Sequence, residues 1–182
     1  MSILKFDPLR DRLSRDIRNA LSEAVMDTIS KLELTPAEAA ASRFLTPDLA
    51  PVYREYIDNR LHSYVKALDL FRRGKGATRL EQAMVLWDLG LFFEVHEVLE
   101  HAWLQSEGRE KLVYQALIRA AGVYIHLAQD NPAGARKMAA KAAPVLNENR
   151  DLLPPDFNLE LLLDKLNRVD PAPPILSMKP PE

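Results

Sequence analysis

The residues best suited to chemistry gather in one short run, His96-Glu97-Val98-Leu99-Glu100-His101. Zinc hydrolysis on a helix calls for His-Glu-x-x-His, because residues four apart point the same way and both imidazoles then reach one ion. Here the residue four after His96 is Glu100, and the inverted order His-x-x-Glu-His fails at Leu99. His96 and Glu100 still share a helix face, and an imidazole paired with a carboxylate suits a borderline or hard divalent metal. The chain has no cysteine. Disulfides, thiolate metal sites and thiol nucleophiles are therefore excluded, and a metal centre would have to be built from His, Glu and Asp. A glycine-rich phosphate loop, a Gly-x-Ser-x-Gly elbow and a dinucleotide fingerprint are all missing.

The elements that must position these residues form a helical hairpin. One helix is expected from about Leu91 to Gln105, a turn at Ser106-Glu107-Gly108, and an antiparallel helix from about Arg109 to Gln129. Phe92, Val95, Leu99 and Ala102 make the apolar stripe of the first helix, with His96, Glu100 and Trp103 along its edge. Facing residue numbers then sum to about 214 in antiparallel register. Glu100 falls opposite Tyr114 or Gln115, His96 opposite Ile118 or Arg119, and Phe92 or Phe93 opposite Gly122. His126 falls opposite 88–90, on the order of 10 Å from His96, so the two histidines do not share a metal. Two readings of His126 stay open: an ion pair or pH-sensitive contact with Asp88, or a core-edge histidine hydrogen-bonded to a carboxylate or carbonyl.

Two readings of the cluster follow. In one, Glu100 bonds Gln115 or Arg119 and His96 is held by Arg119 or a carbonyl, a buried polar network that fixes helix register. In the other, His96 and Glu100 ligate a divalent metal or shuttle a proton while Arg119 holds an anion, as in a metal- or small-ligand-binding protein or a hydrolase. Gln115, Trp103 and His126 belong to the candidate site in either reading. Glu94, Glu97 and His101 are expected on a solvated face.

The same residues carry a family likeness. Phe93-Glu94-Val95-His96-Glu97-Val98-Leu99-Glu100-His101-Ala102-Trp103, then Tyr114-Gln115-Ala116-Leu117-Ile118, then His126 with Asp130-Asn131, resemble a prokaryotic family named as domain of unknown function 309. Its pattern is aromatic-Glu-Ala-His-Glu-x-x-Glu-x-x-Trp, followed by Gln-Gly-Leu-Ile-Gln and by His-x-x-x-Gly-Asn. The likeness covers roughly 83–146. This chain departs from it at Val95, Ala116, Arg119 and Asp130. The resemblance implies a compact all-α fold and no assigned reaction.

Outside that region the chain also reads as helices. Asp7-Pro8, Thr35-Pro36 and Thr46-Pro47 each look like an N-cap followed by a first-turn proline. Leu9, Leu13, Ile17, Leu21, Val25 and Ile29 recur every four residues along a helix ending near Glu33. A long helix from Thr46-Pro47 would turn Val52, Tyr56, Leu61, Tyr64, Leu68 and Phe71 inward. Thr78-Arg79-Leu80-Glu81 is a capping box. Asn131-Pro132 opens a helix ending at or just past Pro144, and 158–168 forms a last helix with Leu159, Leu162, Leu163 and Leu166 inside. The proline-rich segment from Pro171 onward should be extended, laid on the surface or disordered.

The fold class expected is all-α, a multi-helical bundle with tetratricopeptide-like antiparallel hairpins and no sheet. Leu89-Gly90-Leu91-Phe92-Phe93 and the small Ala102 match the start of a tetratricopeptide pair. The organisation expected is an N-terminal helical extension over 1–76, a family-like core over 77–150, and a short helix with a proline-rich tail over 151–182. The charge of −2 among 182 residues argues against nucleic-acid binding. No apolar run is long enough for a transmembrane segment or a signal peptide, so the expected compartment is the cytoplasm. The function expected is a scaffold or protein-interaction module with a protein partner or a second copy, needing no cofactor. The alternative is the metal- or ligand-binding protein centred on His96 and Glu100. A third reading lays the first helix on a membrane surface.

Overall fold

Start signals in this chain are local, and several open turns rather than helices. The computed structural model describes residues 5–178. The Asp7 carboxylate accepts the amides of Leu9 at 3.0 Å and Arg10 at 3.1 Å and so closes a turn. The helix itself begins one turn later: α1 spans Arg12–Lys31, capped by Asp11, which accepts from the Ser14 amide. The start expected at Asp7-Pro8 is thereby corrected. Ile17, Leu21, Val25 and Ile29 are buried as the four-residue spacing predicts, whereas Leu9 and Leu13 precede or begin the helix and stay 44% and 36% exposed. Ile17, Leu21, Val25 and Ile29 thus pack inside the protein rather than forming an open apolar face.

The chain divides between Arg73 and Gly74 into two compact units. In the first, α1 is followed by α2 (Thr35–Ser42) and α3 (Pro51–Arg72). Thr46-Pro47 belongs to a turn closed by the Leu49 amide on the Thr46 carbonyl at 3.2 Å, and Pro51 takes the first helical position instead. The inner face of α3 is Tyr53, Ile57, Tyr64, Ala67, Leu68 and Phe71, while Val52, Tyr56 and Leu61 are half-buried. The face is rotated from the expected one because Tyr53 is anchored: its hydroxyl donates to Asp11 at 3.0 Å, tying the start of α3 to the cap of α1. Deeper in, the buried Tyr64 hydroxyl donates to the Leu21 carbonyl at 3.1 Å.

The second unit runs α4 (Arg79–Asp88), α5 (Phe92–Gln105), α6 (Gly108–Ala128), α7 (Pro132–Glu148), a single 3₁₀ turn at Arg150–Leu152, and α8 (Leu159–Arg168). Each α-helix packs on the next in sequence. Thr78 and Glu81 form the expected capping box. Gly90, at φ +72°, takes the left-handed conformation that lets α4 stop and α5 start within a few residues. Pro144 does not end α7, which continues to Glu148; buried Ala142, Ala143 and Leu146 hold the helix through it. α8 buries Leu159, Leu162, Leu163 and Leu166 as its pattern predicts. The described residues are all-α, with one isolated β-bridge between Phe157 and Ser177 and no strand. Among them, no helix is long and apolar enough to cross a membrane.

The proline-rich segment is corrected most. It is not helical, as expected, but it is neither disordered nor merely laid on the surface up to Met178. Pro174 and Leu176 are buried, and the segment is strapped across α4.

Candidate functional site

The spacing of α5 sorts its polar residues. Leu91, Val95, Val98, Leu99 and Ala102 are buried, and Glu94 lies three after Leu91 and four before Val98 on that face. Glu94 is accordingly 1% exposed, and it is engaged rather than free. The expectation of a solvated Glu94 is corrected by the same periodicity that placed its neighbours. Glu97 is half-buried, and His101 is exposed as expected.

His96 and Glu100 do share a face. His96 Nδ1 lies 3.9 Å from Glu100 Oε2 and 3.9 Å from Glu97 Oε1, with the His96 and Glu100 side chains 40% and 48% exposed. That separation is beyond a hydrogen bond. The His96–Glu100 pair is therefore part exposed and not itself hydrogen-bonded. Among the described residues no hydrogen bond or ion pair joins Gln115 or Arg119 to His96 or Glu100. The physical reason is position: a residue on the edge of the stripe reaches solvent before it reaches the facing helix. Nor do three His, Asp or Glu side chains come together anywhere among the described residues in a way that could hold a metal ion.

The antiparallel register is close to the one expected, and it places other partners. Lys111 Nζ sits 4.5 Å from the centre of the Trp103 ring, a cation over an aromatic face. The Tyr114 hydroxyl turns to Glu110 on its own helix at 3.0 Å rather than to Glu100. Burial first, and that acceptor second, push Tyr114 up to about 12. Phe92 stacks on Tyr124 at 5.3 Å, and Trp87 meets both rings edge-on at 5.1 and 5.4 Å. Gly122 does not receive Phe92 or Phe93. A methyl group there would meet Met138 of α7 at 3.8 Å, ordinary contact.

His126 is not paired with Asp88. It packs at the α6–α7 joint, where Asn131 Nδ2 lies 3.0 Å from its Nδ1. Asn131 Oδ1 meanwhile accepts the Gly134 amide at 3.0 Å as the cap of α7. Asp130, before the cap, adopts φ +53°, the left-handed region that favours the glycine of the resembled pattern.

Asp88 has a different task, one missed in the sequence. Its carboxylate accepts the Leu176 amide at 2.7 Å on one oxygen and the Ser177 amide at 3.1 Å on the other. Next to it, Trp87 Nε1 donates to the Pro174 carbonyl at 2.9 Å. On the far side, Asn158 donates its amide to the Leu176 carbonyl at 2.7 Å, and the Met178 amide donates to the Asp156 carbonyl at 2.9 Å. Leu176, 2% exposed, drops between these bonds into an apolar pocket of Leu80, Met84, Trp87, Leu99, Leu117 and Phe157. A void of about 10 Å³ remains there. The only sequence signal for this groove was the pairing of an indole and a carboxylate at the end of α4.

No curated protein and no solved structure matches the chain. A family model does match, over residues 80–138, from the start of α4 through the His96 helix and the α5–α6 hairpin to the first turns of α7. That family is described as a domain of unknown function (DUF309), and this segment of the chain is similar to it.

Proposed function

We propose that the protein is a helical protein-interaction module, built on tetratricopeptide-like hairpins, whose α4 groove binds an extended peptide segment. The observation that carries this reading is how residues 174–178 are held. Among the described residues the hydrogen bonds that hold the segment are made to its main chain, donated by Trp87 and Asn158 and accepted by Asp88 and Asp156, and one aliphatic side chain fills a pocket. Main-chain bonds with a side-chain anchor are the general means by which proteins capture extended peptides. The metal-binding alternative has less behind it, because His96 and Glu100 lack a third ligand among the described residues.

Two measurements test the reading. In full-length Leu176→Asp the strap loses its anchor and vacates the groove. A labelled peptide copying residues 170–178 then binds this variant saturably, and a scrambled peptide does not. Absence of binding, with far-UV circular dichroism unchanged, overturns the reading. So does a stoichiometric metal in the purified protein that is lost in both His96→Ala and Glu100→Ala.

A further inference from the structure

We propose that the strap exchanges between copies: residues 174–178 of one chain dock in the α4 groove of a second copy, and the second returns its own. The inference rests on the peptide-groove reading and names the partner, which is the same segment in trans. A groove that fits this segment in cis fits it equally from another copy, since the five main-chain bonds and the Leu176 pocket are unchanged by the exchange.

What decides between the two is the hinge after α8. Val169 closes α8 at φ +51°. A β-branched residue rarely adopts that region, so the cis connection is strained there. The reversal is held by the Val169 amide on the Leu166 carbonyl at 3.1 Å, the Asp170 amide on the Lys165 carbonyl at 3.0 Å, Lys165 Nζ on Asp170 at 2.8 Å, and the Ala172 amide on the Asp170 carboxylate at 2.9 Å. Pro171, Pro173 and Pro174 follow. Prolines keep a released segment extended, able to reach outward instead of collapsing on its own unit.

A short linker gives the cis strap an effective concentration in the millimolar range, on the order of what a second copy must match. The experiment removes that competition. One full-length variant, Leu176→Asp, keeps the groove and loses the strap. Another, Asp88→Lys, keeps the strap and loses the groove. Each alone runs at the mass of a single chain by light scattering, and the equimolar mixture doubles in mass. Adding Val169→Gly to the Asp88→Lys chain leaves the mixed dimer intact, whereas in the otherwise unchanged chain it lowers the dimer fraction at high concentration. Asp88→Asn replaces Asp88→Lys if circular dichroism shows the lysine variant unfolded. A mixture that stays at single-chain mass while the free 170–178 peptide binds Leu176→Asp overturns exchange alone. If the peptide also fails to bind, the groove reading falls with it.

Discussion

The Nδ1 of His126 and the Nδ2 of Asn131 lie 3.0 Å apart, and the direction of that hydrogen bond is fixed by a third residue. Because Asn131 Oδ1 is taken by the Gly134 amide, the NH₂ group is the end that faces the ring. Nδ1 must therefore accept, and the neutral imidazole carries its proton on Nε2. One side chain thus caps α7 and sets the tautomer at the end of α6. Asn131→Ala removes both bonds, with an expected loss of about 1–2 kcal/mol in urea unfolding. Asn131→Asp keeps the cap but presents an acceptor to Nδ1. The ring should then move its proton to Nδ1, which ¹⁵N chemical shifts of the imidazole read directly. An unmoved tautomer would show that the Asn131 contact does not control the ring.

Two glycines of this hairpin should respond oppositely to one substitution. A Cβ at Gly134 would lie 2.7 Å from His126 Nδ1 and 2.8 Å from Asn131 Nδ2. Gly134→Ala must push that pair apart, and overpacking of this kind costs about 1–3 kcal/mol. At Gly122 the nearest atoms belong to the flexible Met138 side chain, at 3.8 Å and beyond. Gly122→Ala in the middle of α6 should stabilise by up to about 1 kcal/mol through helix propensity. Melting temperatures of the two variants give the signs, and a stabilised Gly134→Ala would contradict the packing described.

These contrasts also show what was legible in the sequence. The Thr78–Glu81 capping box and the leucines of α8 could be read because their partners lie within a turn or two. Asp7-Pro8 and Thr46-Pro47 misled because the groups that cap a helix close a turn equally well, and only the following residues decide. Glu94 was readable from its spacing to Leu91 and Val98, yet its charge outweighed its position. Gln115 faced Glu100 and Arg119 faced His96 by register, but register places backbones and leaves side-chain reach undetermined. The Asp88 clamp could not be read, since its acceptors serve amides 88 and 89 residues away. No periodicity links a helix end to a segment that distant.

Acid should loosen the contact between the start of α6 and the end of α7. Arg109 holds Asp151 through bonds of 3.0 and 2.6 Å and donates to Asn149 at 2.8 Å. The bond to Arg109 is the main cause holding the Asp151 carboxyl below its ordinary 3.8. A carboxylate depressed in the folded state contributes stability above its unfolded value, and that contribution fades as pH falls through the lower folded value. The gap in Tm between the unchanged chain and Asp151→Asn should therefore be largest above about pH 5 and close toward about pH 2. Salt should narrow it at neutral pH, because both side chains are more than half exposed. A gap that stays constant across this range would rule out the ion pair as its source.

Leu176→Ala separates two ways in which the strap could fail. If the strap stays docked, the truncation leaves a cavity larger than the present void of about 10 Å³, and global stability falls by about 2–5 kcal/mol, as for other buried leucines. If the strap leaves as a unit, the loss is limited to its own docking energy, and the helices beneath unfold at nearly their original denaturant midpoint. Hydrogen exchange distinguishes these outcomes residue by residue. The groove reading expects the second: the amides of Leu176, Ser177 and Met178, bonded to Asp88 and Asp156, lose protection together, while Val98, Leu117 and Ala120 in α5 and α6 keep theirs. Asp88→Ala should give the same pattern from the other side of the contact, since it leaves two strap amides without their acceptor. Protection lost evenly across α4, α5, α6 and the strap would mean that the segment is an inseparable part of the core, and a groove that cannot be vacated cannot receive a peptide.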